Sequence, residues 1–259
     1  MGESHADEYD DALVALLELI WGEGFLSPGG PAAVGKVIEG LDLTGKTVLD
    51  IGCGLGGIDA ILARDRGARV IGLEIERALI ARARRRIAHA ELADRVDLRL
   101  VTPGPLPLAD ASVDVVFGKD SWIHVADKGA FFAETFRVLA PGGVLAASDW
   151  LRGPEPYSDD MRTFFELEGL TYHMETAEGY AAKLRAAGYV AVAVEDTADE
   201  CRALAHDEYA RMRGPLRAEM VAALGPEKTE HFIENWRMLT VVLDGRELRP
   251  AQMRARKPA

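Results

Sequence analysis

The residues of this chain best placed to do chemistry are two carboxylates, Asp50 and Glu74, and the alternating glycines between them at Gly52, Gly54 and Gly56. Glycine at every second position lets a loop bring its backbone against a ligand and adopt dihedrals closed to other residues. Asp50 is placed to orient that loop or to accept a hydrogen bond from the cationic end of a ligand. Glu74 is placed to grip both hydroxyls of a ribose. Together they read as a site for a nucleoside-bearing cofactor. The loop holds no Lys or Arg, and the third glycine of the dinucleotide fingerprint is missing: position 57 is Gly, and the next small residue is Ala60. A pyrophosphate has no cradle here, whereas S-adenosylmethionine carries no phosphate and suits the loop.

These residues need elements to hold them. Thr47 to Ile51 is a hydrophobic run of the kind that forms a buried parallel strand, and a helix should begin near Gly57. Arg69 to Leu73 gives a second strand ending at Glu74, followed by a helix over 77–90. Val113 to Phe117 reads as a further strand entering the site. A helix over 128–139, a tight turn at Pro141-Gly142-Gly143 and a strand over 144–148 come next. The pattern is helical over 159–187 and again over 198–242, with breaks at Gly214-Pro215 and Gly225-Pro226. Gly188 to Glu195 is expected as the sixth strand, and 248–256 as an antiparallel seventh. Ahead of all this, 8–21 forms an amphipathic helix followed by Gly22-Glu-Gly-Phe-Leu-Ser-Pro-Gly-Gly30. In alternating α/β sheets the site lies at the carboxyl ends of the strands.

The segment Asp50-Ile-Gly-Cys-Gly-Leu-Gly-Gly57 resembles the first motif of class I S-adenosylmethionine-dependent methyltransferases. The stretches 106–117 and 136–145 are similar to the fourth and fifth strand regions of the same family. The order of helix, aromatic-Gly-Glu, hydrophobic-Ser and Gly-Gly ahead of that core resembles the phosphoethanolamine N-methyltransferases and, less closely, the sarcosine and dimethylglycine N-methyltransferases. The likeness spans roughly residues 9–195. It implies an α/β, Rossmann-like fold with a seven-stranded mixed sheet between helices. An N-terminal helical lid (1–30) would precede the cofactor-binding core (31–151), followed by a helical substrate lid (152–187) and a C-terminal part with added helices (188–259). It also implies S-adenosyl-L-methionine as cofactor and S-adenosyl-L-homocysteine as coproduct.

Carried over position by position, the resemblance assigns the cofactor side to Ser27, Asp50, Gly52, Gly54, Gly56, Glu74, Ile75, Thr102, Pro103, Lys119 and Asp120. Lys119-Asp-Ser-Trp-Ile-His124 is similar to the family's segment after the fourth strand. Tyr9 and His124 then become the pair that closes the site and supports deprotonation of the acceptor, with Asp120 contacting an amine. A protonated amine has no lone pair to attack a methyl group, and a His with a pKa of about 6.5 can take the proton. Trp150 stands where the family lines its substrate pocket with an aromatic, and could hold an ammonium over its ring.

Departures from the pattern bear on the substrate. Tyr172 matches a family tyrosine near the phosphate, yet Leu170 stands at an arginine position and Glu166 at another tyrosine, and no counterpart of the phosphate-binding lysine is visible near Trp236. Unless Arg162, His173 or Arg237 takes over, the phosphate clamp is missing, and Glu166 with Asp120 suits a cationic amine. Thr102-Pro103 replaces an acidic-hydrophobic pair beside the adenine. The expected reaction is methylation of a small polar metabolite, with the nitrogen of a non-phosphorylated amine or amino acid as acceptor. The alternatives are sulfur or oxygen methylation of a small carboxylic acid, or methylation of phosphoethanolamine. An oxidoreductase or an inactive regulatory protein would be the reading from another class.

Composition sets the outer bounds. With 259 residues, 48% of them hydrophobic, the chain can bury one large core. A formal charge of −12 disfavours nucleic acid as partner. Arginines at 82 and 84–86 read as a solvated helix face. Two cysteines and scattered histidines (His5, His89, His173, His206, His231) give no disulfide scaffold and no metal spacing, and Asp159-Asp160 reads as a helix cap. With no membrane span or signal-like N-terminus, the expectation is a cytoplasmic monomer or homodimer.

Overall fold

The computed structural model describes residues 9–259; His5 and Glu8, the first residue of the expected N-terminal helix, lie outside the described residues. The element order is α1 (Asp11–Trp21), α2 (Gly30–Val37), β1 (Thr47–Ile51), α3 (Gly57–Arg66), β2 (Arg69–Glu74), α4 (Arg77–His89), β3 (Val96–Leu100) and β4 (Val113–Lys119). A single 3₁₀ turn (Trp122–His124) precedes α5 (Lys128–Val138), β5 (Leu139–Asp149), α6 (Asp159–Glu168), α7 (Ala177–Ala186) and β6 (Val190–Asp196). Then come α8 (Ala198–Arg213), α9 (Arg217–Leu224), α10 (Pro226–Asp244) and β7 (Ala251–Arg256).

The strands form one seven-stranded sheet in the order β3-β2-β1-β4-β5-β7-β6. The pairs from β3 to β5 are parallel, and β7 runs antiparallel to both neighbours. Buried parallel strands need apolar residues on both faces, which Val48, Leu49, Val115, Val116 and Phe117 supply. One core packs α2, α3 and α4 against one face of the sheet, with Val34, Leu62 and Ile80 buried there. A second packs α5 and α7 against the other, with Phe132, Tyr180 and Leu184 fully buried. A third core lies among α1, α6, α8 and α10, around Leu16, Met161, Met212 and Val242.

Three local expectations change. Pro141-Gly142-Gly143 is not a turn outside the strand but lies within β5, where the register against β4 shifts. Its backbone is held by the chain end, Gly142 N–H donating to Lys257 O at 3.1 Å. Asp159 and Asp160 occupy the first turn of α6 rather than its cap, which is Ser158, whose hydroxyl accepts from Met161 N–H. The segment expected as one lid over 152–187 divides: α6 joins the third core, whereas α7 packs on the sheet with β6.

Phe132 is fully buried, with ring centroids 6.1 Å from Trp122 and 5.3 Å from Tyr180. Truncation leaves a cavity that α5 and the sheet cannot close. Phe132→Ala should therefore lose about 3–5 kcal/mol of unfolding free energy. Urea titration checks it, and a loss under about 1 kcal/mol would mean the site collapses around the gap.

Candidate active site

Strand order reverses between β1 and β4, so the loops after these strands diverge and leave a crevice at their carboxyl ends. The loop after β1 carries Gly52 at φ +87°, Gly54 at +53° and Gly56 at +77°. At Gly52 the constraint is twofold, because a Cβ there would also sit 2.5 Å from the Cβ of Ser121 in the loop after β4. Glu74 ends β2 nearly buried and accepts from Gly54 N–H at 2.8 Å, Ile75 N–H at 2.7 Å and Glu76 N–H at 2.9 Å. It thus ties the glycine loop to β2 while keeping lone-pair capacity for a ribose. Burial raises its pKa, and the three N–H donors oppose that rise. Beside it Ile75 is 54% exposed, an apolar face at the crevice rim, and Thr102 and Pro103 lie exposed after β3.

Asp50 is deeper than expected. It is fully buried, without a hydrogen-bond partner among the protein atoms; burial raises its pKa well above the ordinary value, and the charge of the equally partnerless Asp59 of α3 adds to that rise. Burial pushes Asp59 up to about 7. Asp59 escaped the sequence reading, although a charged residue among the buried Ile58, Ala60 and Leu62 of α3 was the available signal. Orphaned carboxyl oxygens beneath the glycine loop, an acidic residue at the ribose position and an exposed apolar rim fit a nucleoside bearing an ammonium group.

On the β4 side, Lys119 is 6% exposed and its Nζ donates to Ser27 Oγ at 2.9 Å, Pro28 O at 2.8 Å and Asp120 Oδ2 at 2.6 Å. Asp120 has φ +58°, a conformation that costs a non-glycine residue energy and that recurs at functional sites. Its Oδ1 accepts from Ser148 Oγ at 2.9 Å. The carboxylate is thus held rigidly and its charge is matched by Lys119.

Asp120, Ser27, Tyr9, His124, Trp150 and Tyr172 are brought together around one cavity of about 280 Å³. His124 is exposed to it, with Nδ1 3.2 Å from Thr171 O and its ring 5.5 Å from that of Tyr172. Donation from Nδ1 to that carbonyl leaves Nε2 with a free lone pair. Tyr172 Oη donates to Glu168 Oε2 at 2.8 Å, and Asn235 Nδ2 to Glu168 Oε1 at 2.7 Å. Glu166 is the expectation that fails: it is exposed and off the cavity, because Phe164, Leu167 and Glu168 share the inward face of α6 at helical spacing. His173 likewise stays outside the lining. Much of the remaining wall was not legible from the sequence and comes from α1 and α10, with Leu13, Leu17, Trp21, His231, Phe232 and Trp236.

No Lys or Arg lines this cavity among the described residues. Arg162 pairs with Asp159, and Arg237 with Glu234 at 2.7 Å. The arginines of α4 are not simply a solvated face. Arg82 pairs with Asp11, Arg84 donates to Leu98 O at 2.9 Å, and Arg86 donates to Leu55 O at 2.8 Å and Glu18 at 2.7 Å. Arg86 therefore fastens α1 to the glycine loop. Among the described residues no cluster of three or more His, Cys, Asp or Glu could hold a metal, and no helix is long and apolar enough to cross a membrane.

Residues 49–147 match a family described as a methyltransferase domain. The chain is 31% identical over 236 residues to 27-O-demethylrifamycin SV methyltransferase of Amycolatopsis mediterranei, covering 86% of this chain and 84% of that one. It is 28% identical over 230 residues to a phosphoethanolamine N-methyltransferase of Triticum aestivum, covering 88% of this chain and 45% of the wheat protein. The chain thus spans about half the length of the plant relatives it matches. A solved structure of Haemonchus contortus phosphoethanolamine N-methyltransferase 2 in complex with S-adenosyl-L-methionine shares the fold, with TM-score 0.90 at 23% identity over 97% of this chain and 58% of that one.

The buried Asp59 sets a pH dependence. Its folded pKa of about 7 lies above the ordinary 3.8, so its contribution to stability is complete below pH 3.8 and is lost as pH rises toward 7. Asp59→Asn removes that titration. Its stability relative to the parent should increase between pH 4.5 and pH 8 by at least about 1.4 kcal/mol, the value of one pKa unit. Equal urea midpoint differences at the two pH values would show that Asp59 is not perturbed.

Proposed function

The chain belongs to the class I S-adenosylmethionine-dependent methyltransferases, and we propose that it methylates a hydroxyl on a non-phosphorylated small molecule with a largely apolar body. The observation that carries this is the cavity lining: Leu, Trp, Phe and Met side chains around a few polar groups, His124 and His231 among them, with no Lys or Arg among the described residues to hold a phosphate. The cofactor supplies an electrophilic methyl group, so the protein's work is to hold an acceptor lone pair in line with it. The glycine loop and Glu74 would hold the nucleoside, with Ile75, Thr102 and Pro103 flanking its base. Ser27 and Asp120, which line the cavity, would stand where the crevice opens into it.

At that opening His124 Nε2 would take the acceptor's proton while Nδ1 stays bonded to Thr171 O. Tyr9 and Tyr172, both in the lining of the cavity, would orient the acceptor and keep water out. The small polar substrate expected from the motifs fits this lining less well than an apolar one. A relative of similar length whose name specifies an oxygen acceptor supports hydroxyl methylation. Nitrogen methylation of a non-phosphorylated amine is the second reading, favoured by Asp120 and the half-buried Trp150 in the lining of the same cavity. It is weakened by Lys119, whose ammonium already matches the Asp120 charge.

The deciding experiment follows S-adenosylhomocysteine release against hydroxylated apolar compounds, small amines and phosphoethanolamine. Turnover of the first group is expected; turnover of phosphoethanolamine alone would overturn the reading. His124→Ala should lower kcat by about 10²–10⁴-fold. Calorimetric affinity for S-adenosylmethionine should remain within about threefold, since His124 lies on the acceptor side; an unchanged kcat would remove His124 from the mechanism.

A further inference from the structure

We propose that Lys128 is a positioning residue for His124, fixing which imidazole nitrogen faces the acceptor. This rests on the reading of His124 as the proton acceptor. Lys128 is 2% exposed, and its Nζ donates to Trp122 O at 3.0 Å, Val125 O at 3.0 Å and His173 O at 2.6 Å. Those bonds use all the donors an ammonium has. The first two hold the 3₁₀ turn that carries His124. The third holds the irregular segment between α6 and α7 that carries Thr171 and Tyr172.

These two segments are also joined by His173 N–H donating to Ile123 O at 2.8 Å. Below them lies Asp149, fully buried, which accepts from Ile123 N–H at 3.0 Å and from Tyr180 Oη. The His124 Nδ1 contact to Thr171 O crosses between the same two segments. An ammonium bridging them sets the separation that this contact needs. A neutral side chain there would leave buried carbonyls without donors, and the turn would move to find water.

Lys128 does not line the cavity, so its influence on an acceptor must pass through His124. Burial lowers its pKa, and the nearby Asp149 carboxyl opposes that shift. The ring of Tyr180, 5.8 Å from Nζ, closes the remaining side. Gly118 belongs to the same arrangement, since a Cβ there would fall 2.3 Å from Trp122 Nε1 and displace the turn from below.

Lys128→Met removes the charge at nearly constant volume, and is compared with His124→Ala and the parent. The expected result is a kcat at least tenfold lower in Lys128→Met with the dissociation constant for S-adenosylmethionine within twofold. The ¹³C and ¹⁵N resonances of His124 should move from the Nδ1–H form in the parent toward a mixture of tautomers. Unchanged kcat or an unchanged tautomer in folded Lys128→Met overturns the proposal. Full turnover in His124→Ala would instead overturn the reading it rests on, and the tautomer measurement separates the two because it needs no substrate. If Lys128→Met does not fold, the parent spectrum decides: Nδ1–H supports the proposal, and Nε2–H sinks it.

Discussion

The reversal of strand order between β1 and β4 is the constraint on which the rest of this molecule depends. Crossovers leaving β1 and β4 pack on opposite faces of the sheet, so their loops diverge at the carboxyl ends. Everything that reads as chemistry is fixed to the rims of that gap. Glu74 fastens the glycine loop through backbone N–H groups on one side, and Lys119 fastens Asp120 to Ser27 and Pro28 on the other. The two rims also touch directly, since Ser121 Oγ donates to Ile51 O at 2.7 Å. A cofactor there meets groups already in place, which limits the ordering cost of binding.

The acceptor cavity has a different origin. It is walled largely by α1, α6 and α10, which share a core apart from the two that flank the sheet, and buried polar contacts hold these helices in register. Glu208 of α8 is 2% exposed and accepts from Trp21 Nε1 at 2.6 Å and Trp236 Nε1 at 3.0 Å, joining α1, α8 and α10 around one carboxylate. Both indoles form part of the cavity wall, and their N–H groups are satisfied on the far side. The cavity thus presents apolar surface without leaving buried donors unpaired. Arg86 does the equivalent work between α1 and the glycine loop, so the acceptor wall and the cofactor loop share a boundary element.

Buried charge in this protein follows two patterns. Lys119, Lys128 and Glu208 are each surrounded by complementary partners, which is how an ion remains tolerable away from water. Asp50 and Asp59 are not, and their carboxyls lie beneath the cofactor loop with raised pKa values. The contrast places the buried carboxyls that lack partners under the loop that the cofactor would cover.

The glycine spacing, the two acidic residues and the apolar runs of 47–51 and 113–117 determined the class of fold and the kind of cofactor from the sequence alone. These are local signals: a strand, a turn and a helix start are written within about ten consecutive residues. The helical breaks at Gly214-Pro215 and Gly225-Pro226 were legible for the same reason. The acceptor cavity was decided only by tertiary structure. Its walls come from positions 9 to 28, 120 to 174 and 231 to 248, and which face of α6 points inward depends on packing against α10. Hence Glu166 was chosen where Glu168 stands, and the arginines of α4 were read as solvated when two of them reach back to α1. Lys128 and Asp149, hidden in sequence as an ordinary helix start and strand end, acquire meaning only when the chain folds the Thr171 segment over the turn of His124. A side chain's type sets what it can bond, but its partners, and so its function, are set by contacts between segments far apart in the chain.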